Sequence, residues 1–374
     1  MDERPVAPHE LFFDLVFAFA FTQVTTLLSE RPTWLGLARA LLVLGALWWA
    51  WASFAWLTNT IDTQDGVALA AILAATGAIF IAALAVPDAF GGEGVLFGGA
   101  FLVASVTQVA LYAWGARGEP DLLRAIVRVF PWVIGGAVLI LAAGFAHGGL
   151  RIGLWAAALV VGFVGPGLID VRGWRVRPSH FVERHGLIVI IAIGESLIAV
   201  GVGVRGIDLT VGVVTGAVLG LVVATSFWLA YFDFFTSRAR QLLEERRDEE
   251  QVLLARDVFT YLHLPMVVGI VLFAFGVKSA LPHLGGHLSW VAAVAVCGGP
   301  ALFLGSFVAL RYRVSRSLGR GRLAATVACA LLIPLTPYVP ALAALALVAA
   351  VWVALHAYEL VWWRDARAQA RAQR

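Results

Sequence analysis

WLGLARALLVLGALWWAWASFAWL, residues 34–57, runs for twenty-four residues with a single charge, Arg39. As an α-helix it would be about 36 Å long, enough to cross a hydrocarbon core about 30 Å thick. Similar apolar runs lie at 11–28, 66–86, 94–114, 125–146 and 150–170, and again at 183–204, 209–235, 257–277, 288–310, 322–338 and 340–363. Their length favours helices, because membrane strands are only about ten residues long and alternate in polarity. Gly and Pro recur inside them, as membrane helices tolerate. The reading is an all-α polytopic membrane protein of about twelve transmembrane helices. The pair 322–338 and 340–363 is separated only by a tight turn at Pro334, Pro337 and Pro340.

Composition agrees. Of 374 residues, 61% are hydrophobic and 14% charged, against about 45–50% and about 25% in soluble domains. Twelve helices of about 20 residues would use about 240, and the remainder spreads over short loops and tails. A nucleotide-binding domain, a large periplasmic domain and a disulfide-stapled fold are therefore not expected. No cleavable signal is expected either, since the first apolar run is interrupted by Asp14. Cys297 and Cys329 sit inside apolar runs without CxxC spacing and read as packing residues.

The net charge is +3, and its distribution matters more than its sum. If twelve spans place both termini on one side, 22 of the 27 basic residues fall on that side, from Arg4 to Arg374. Arg31, Arg39, Arg151, Arg205 and Lys278 fall on the other. This asymmetry places both termini on the cytoplasmic side of the membrane. The expected partners are membrane lipids and a small solute of unknown identity, with no nucleic acid, no cofactor and no metal.

The two halves, 1–175 and 176–374, resemble each other in order. Trp48–Trp51 matches Phe227–Tyr231, Asp65 matches Asp257, Gly91–Gly92 matches Gly285–Gly286, and Asp170 matches Glu359. The spacing predicts a parallel 6+6 repeat forming one integral membrane unit.

Ionisable groups inside a span cost about 2.5–3.5 kcal/mol on insertion scales and point to function. Glu10 and Asp14 are i,i+4 on one face of the first helix. They either anchor its start to cytoplasmic Arg or take part in chemistry. In the seventh span, Glu183-Arg184-His185 is followed by Glu195-Ser196. Counted from Glu183, Glu195 is about 18 Å along the axis, near the midplane, where it must be neutral, paired or facing a wet cavity. The alternative is a neutral Glu acting as helix glue. His185, His263 and His356 are candidate proton relays or satisfied polar residues. No HExxH, GxSxG or Walker A pattern occurs.

The strings HELFFDLVF (9–17), ERHGL (183–187) and GES (194–196) resemble the bacterial low temperature requirement A (LtrA) family over nearly the whole chain. The resemblance implies a multi-pass membrane protein. If the motifs mark a functional centre, it comprises Glu10, Asp14, Glu183, Arg184, His185 and Glu195. Three functions are open: a secondary carrier, with proton coupling through Glu195; a lipid-modifying membrane enzyme using Glu195, His185 and Asp14 as acid and base; or a structural or sensory protein. The carrier leads, because a duplicated helical body with a buried carboxylate and no nucleophile motif suits transport better than catalysis.

Overall fold

The computed structural model describes residues 5–63, 65–233 and 235–362. Arg4, Arg364, Arg367, Arg371 and Arg374, part of the charge asymmetry, lie outside these residues. The described chain is helical throughout, with one isolated antiparallel bridge between His287 and Pro340. Among the described residues, eleven helical runs are long and apolar enough to cross a membrane. Contacts group the chain into two compact units. One comprises residues 5–28, 35–188 and 242–256, the other 29–34, 189–241 and 257–362.

In the first unit, α1 (Pro8–Glu30) and α2 (Trp34–Thr60) are followed by α3 (Gly66–Ala85), α4 (Gly94–Gly115), α5 (Pro120–Phe145) and α6 (Gly148–Val164). The unit also takes in the start of α7 (Pro178–Gly203). Helices α3 to α6 pack in chain order, as short connections require. Asp65 sets the start of α3 by accepting from the Val67 N–H at 2.9 Å. Arg151 binds the turns at the opposite ends of α3 and α5, donating to the Gly91 and Ala146 carbonyls at 3.0 and 2.7 Å.

The polarity of α1 is inverted relative to a soluble helix. Glu10, Phe13, Asp14, Phe17 and Phe21 are buried, whereas Leu11, Phe12 and Leu15 are exposed. Water would reject that arrangement and lipid favours it, because a carboxylate costs most where it meets hydrocarbon. Exposed Val127, Val160 and Val211 repeat the pattern on other helices.

The second unit contains α8 (Val211–Phe232), most of the short α9 (Phe235–Glu244), and α11 (His263–Ala280), which is entered through a π-helical turn at Arg256–Leu262. Between α9 and that turn, α10 (Asp248–Ala255) belongs to the first unit. Helix α12 (Trp290–Ala293) continues through a second π turn, Val294–Gly298, into α13 (Gly299–Ser315). Helix α14 (Arg320–Leu332) and α15 (Ala341–Trp362) complete it. The 322–338 segment differs from its expected length. Helix α14 has 13 residues, about 20 Å, and gives way to a 3-10 turn at Thr336–Tyr338. Pro334 and Pro337 remove the N–H groups that would prolong it.

Helix contact in lipid relies on close backbone approach rather than on hydrophobic exclusion. A Cβ added at Gly98 would lie 2.5 Å from the Leu141 Cα, and one at Gly99 would meet nothing within 4 Å. Gly98→Val should therefore destabilise the α4–α5 contact by about 1–3 kcal/mol, whereas Gly99→Ala should be neutral or slightly stabilising. Thermal unfolding of the two variants in detergent measures the contrast.

Candidate functional site: a buried carboxylate–guanidinium cluster

Helices α1 and α7 meet in the first unit through two pairs of equal register. His180 meets Glu10, with Nε2 to Oε2 at 2.9 Å, and Arg184 meets Asp14, with Nη2 to Oδ1 at 2.8 Å. Both pairs are separated by 170 residues. Advancing four residues on one helix thus matches four on the other, so the two helix starts run parallel. An even number of crossings between them requires this. Each i,i+4 pair presents both members on one face, and the two faces mate.

Every member is buried. Glu10 and Asp14 are 2% and 1% exposed, and Arg184 and His185 are fully buried. Arg184 Nη1 also lies 3.4 Å from Glu10 Oε2, so one guanidinium serves two carboxylates. The Trp51 indole N–H of α2 donates to Asp14 Oδ1 at 2.8 Å. His185 donates from Nδ1 to the Phe181 carbonyl at 2.8 Å and packs edge-on to Trp51, with ring centres 4.8 Å apart. Trp48 and Phe181 complete an aromatic wall around it.

Asn59, one residue before the end of α2, ties this cluster to the start of α7. Its Oδ1 accepts from the Arg177 N–H at 2.9 Å and its Nδ2 donates to the Arg177 carbonyl at 3.0 Å. Nδ2 is also 3.2 Å from His180 Nδ1. Two opposed backbone bonds fix which end of the amide is nitrogen.

The remaining expected site residues lie elsewhere. Glu183 is on the exposed face of α7. Glu195 and Ser196 are buried but belong to the second unit, where Lys278 of α11 interacts electrostatically with Glu195. Because α7 begins at Pro178, Glu195 is eight residues from its end rather than midway along it. Lys278 likewise stands in the last turn of α11. His263 is saturated. Its Nδ1 donates to the Val258 carbonyl at 2.8 Å, and its Nε2 accepts from the Tyr231 hydroxyl at 2.9 Å. The Val258 carbonyl lies within the π turn, whose wider spacing releases carbonyls from the α-helical ladder. His180, Asn59 and Trp51 are the site residues that pattern reading did not select. The signal for His180 was present, since it stands i,i+4 from Arg184 as Glu10 does from Asp14. Asn59 carries no comparable local signal. Among the described residues no group of three His, Cys, Asp or Glu side chains is arranged to hold a metal ion.

A cavity of about 1120 Å³ opens in the same unit. Arg124, Arg128, Arg172 and Arg175 line it beside Asp170, and its wall includes Arg177, Pro178 and Ser179 at the start of α7. The Arg172 backbone N–H, its guanidinium and Arg128 hold the Asp170 carboxyl below the usual range, so this wall stays ionised at neutral pH.

Together these features define a class: a multi-pass helical membrane protein with a buried ionic centre joining its first and seventh helices. The profile of the bacterial low temperature requirement A protein (LtrA) family matches residues 5–357. The chain belongs to that family. It is also 32% identical over 334 residues to a Rhizobium meliloti (strain 1021) protein named as uncharacterized, covering 85% of this chain and 80% of that one. No solved structure matches it.

Removing one partner of a buried ion pair strands the other, at a cost of about 3–5 kcal/mol. Arg184→Gln should accordingly lower the unfolding midpoint in detergent far more than Arg184→Lys, which keeps the charge but loses the two-carboxylate reach. Asn59→Asp should turn His180 into an imidazolium by offering Nδ1 an acceptor, a change read by 15N NMR of labelled histidine.

Proposed function

We propose that this protein is a secondary carrier of the bacterial cytoplasmic membrane, coupled to protons, whose coupling centre is the Glu10–Asp14–Arg184 cluster. The observation that carries this reading is one guanidinium buried between two carboxylates. A purely structural anchor would be served by a matched pair. An unmatched centre is a place where a charge is added and removed, and carriers need such a place. The large ionised cavity supports it, because its wall includes Arg177, Pro178 and Ser179, which directly precede His180 of the cluster in the chain. Helix α7 supplies Glu195 and Ser196 as a second polar station, for which Lys278 provides the neighbouring cation. This shifts the emphasis from Glu195, which has Lys278 as a neighbouring cation, to Asp14, which shares Arg184 with a second carboxylate.

The halves 1–175 and 176–374 are proposed to be a parallel repeat. In one half Asp170 pairs with Arg128 at 3.7 Å, and in the other Glu359 pairs with Arg322 at 2.8 Å. In each case the acid closing the sixth segment meets an Arg near the start of the fifth, which supports the duplication. The basic residues favour cytoplasmic termini. In cells, Asp208→Cys should label with a membrane-impermeant thiol reagent from outside, and Ser315→Cys only after permeabilisation. The reverse pattern overturns the orientation.

Transport itself is tested in proteoliposomes enclosing a pH dye, with an imposed gradient and a panel of solutes. Wild type and Glu183→Gln should show solute-dependent proton flux, and Asp14→Asn should reduce it at least tenfold. Flux that survives Asp14→Asn moves coupling away from the cluster. Absence of solute-dependent flux in wild type, across the panel and in both gradient directions, removes the proton-coupled reading.

A further inference from the structure

The hydrogen-bond directions in the first unit determine the charge of the cluster. Asn59 cannot turn its amide over without breaking both bonds to the Arg177 backbone, so it presents N–H to His180 Nδ1. That nitrogen must be bare to accept. His180 is then neutral with its hydrogen on Nε2, and it donates that hydrogen to Glu10 Oε2. An imidazolium would set two N–H donors face to face. With His180 neutral, the cluster holds two carboxylates against the single positive charge of Arg184.

The two carboxylates are not equivalent. Glu10 Oε2 accepts from His180, lies 3.4 Å from both the Ala7 N–H and Arg184 Nη1, and is well supplied. Asp14 Oδ1 accepts from Trp51 and Arg184. Asp14 Oδ2 is buried and has no hydrogen-bond partner. Facing Asp14 are Glu10 on its own helix, Trp51 on α2, and His180, Arg184 and, behind Trp51, His185 on α7. A buried carboxylate oxygen without a donor forfeits the solvation it had in water. Hydrogen can be added there without displacing an existing bond.

We propose that Asp14 is a single-proton binding site, protonated at Oδ2, and that Asn59 is the positioning residue that directs the proton there by holding His180 neutral. Uptake forms one O–H bond at Oδ2, the proton coming from hydronium and leaving water behind. No redox partner is needed. Asp14 Oδ1 still accepts from Trp51 and Arg184, and Glu10 then balances Arg184. Release reverses each step and restores the uncompensated negative charge. Arg184 is drawn toward Glu10 when Asp14 is neutral and shared between both acids when it is not, so protonation is converted into a shift between α1 and α7.

The inference deepens the carrier reading and rests on it for its purpose, but its test reads protonation directly. Infrared difference spectra of the full chain in vesicles, titrated between acid and alkaline end points, should show one carboxylic-acid C=O band that shifts when aspartate is labelled with 13C. The band should vanish in Asp14→Asn, and in Glu10→Gln, which leaves Asp14 as the only carboxylate facing Arg184, it should move to lower pH. Labelling wild type alone separates Asp from Glu should the Asn variant fail to fold. 15N NMR should report His180 as the neutral Nε2–H tautomer in wild type. A band that shifts with labelled glutamate, no protonated-carboxyl band at any point of the titration, or a cationic His180 would each overturn the proposal. A titrating Asp14 band without solute transport would leave the site standing and remove only the carrier reading.

Discussion

Arg184 is fully enclosed by protein inside a chain made for lipid, and its guanidinium governs the arrangement of the first unit. An arginine does not lose its charge in proteins, so burying it obliges the fold to bring anions. Glu10 and Asp14 meet that demand together, and the geometry follows: α1 must lie beside α7, parallel to it, in the register set by the 170-residue separation of both contacts. Trp51 then fills the remaining side of Asp14, which draws α2 into the same junction. Asn59 extends the junction to the backbone at the entrance of α7. Consecutive helices α1 and α2 are thus joined to the distant α7 around one cation.

Lipid explains why this works. Because hydrocarbon cannot reward apolar burial as water does, the first unit assigns its exposed positions to Leu, Phe and Val and its interior to acids, aromatics and close glycine contacts. The same logic limits α14, where successive prolines end the helix early and a 3-10 turn leads into α15. It also accounts for the two π turns. Each loosens the carbonyl ladder inside protein, and the first of them supplies the Val258 carbonyl that completes His263.

Much of this was legible in the residues. Run length and charge poverty announced the membrane helices, and Glu10, Asp14 and Arg184 stood out because charge inside an apolar run has no passive explanation. What could not be read was pairing. The i,i+4 spacing of Glu10 and Asp14 fixes their shared face but not its partner, and Arg184 could have answered an acid on another helix as readily as these two, 170 residues away. The start of α7 was likewise not legible, since it lies at Pro178, five residues before Glu183. Asn59 was invisible for a different reason. Its importance lies in the direction of three hydrogen bonds, a property of assembled structure that no spacing encodes.

The depth of the cluster sharpens its meaning. Asp14 and Arg184 each stand six residues inside their helices, about 9 Å from the start. A charge centre there avoids the full cost of the bilayer midplane while remaining enclosed. A midplane carboxylate would need a water-filled route through half the membrane. The amide that fixes the histidine's tautomer also ties the end of α2 to the start of α7 through the Arg177 backbone, so one side chain sets both the local charge and the local packing of the junction.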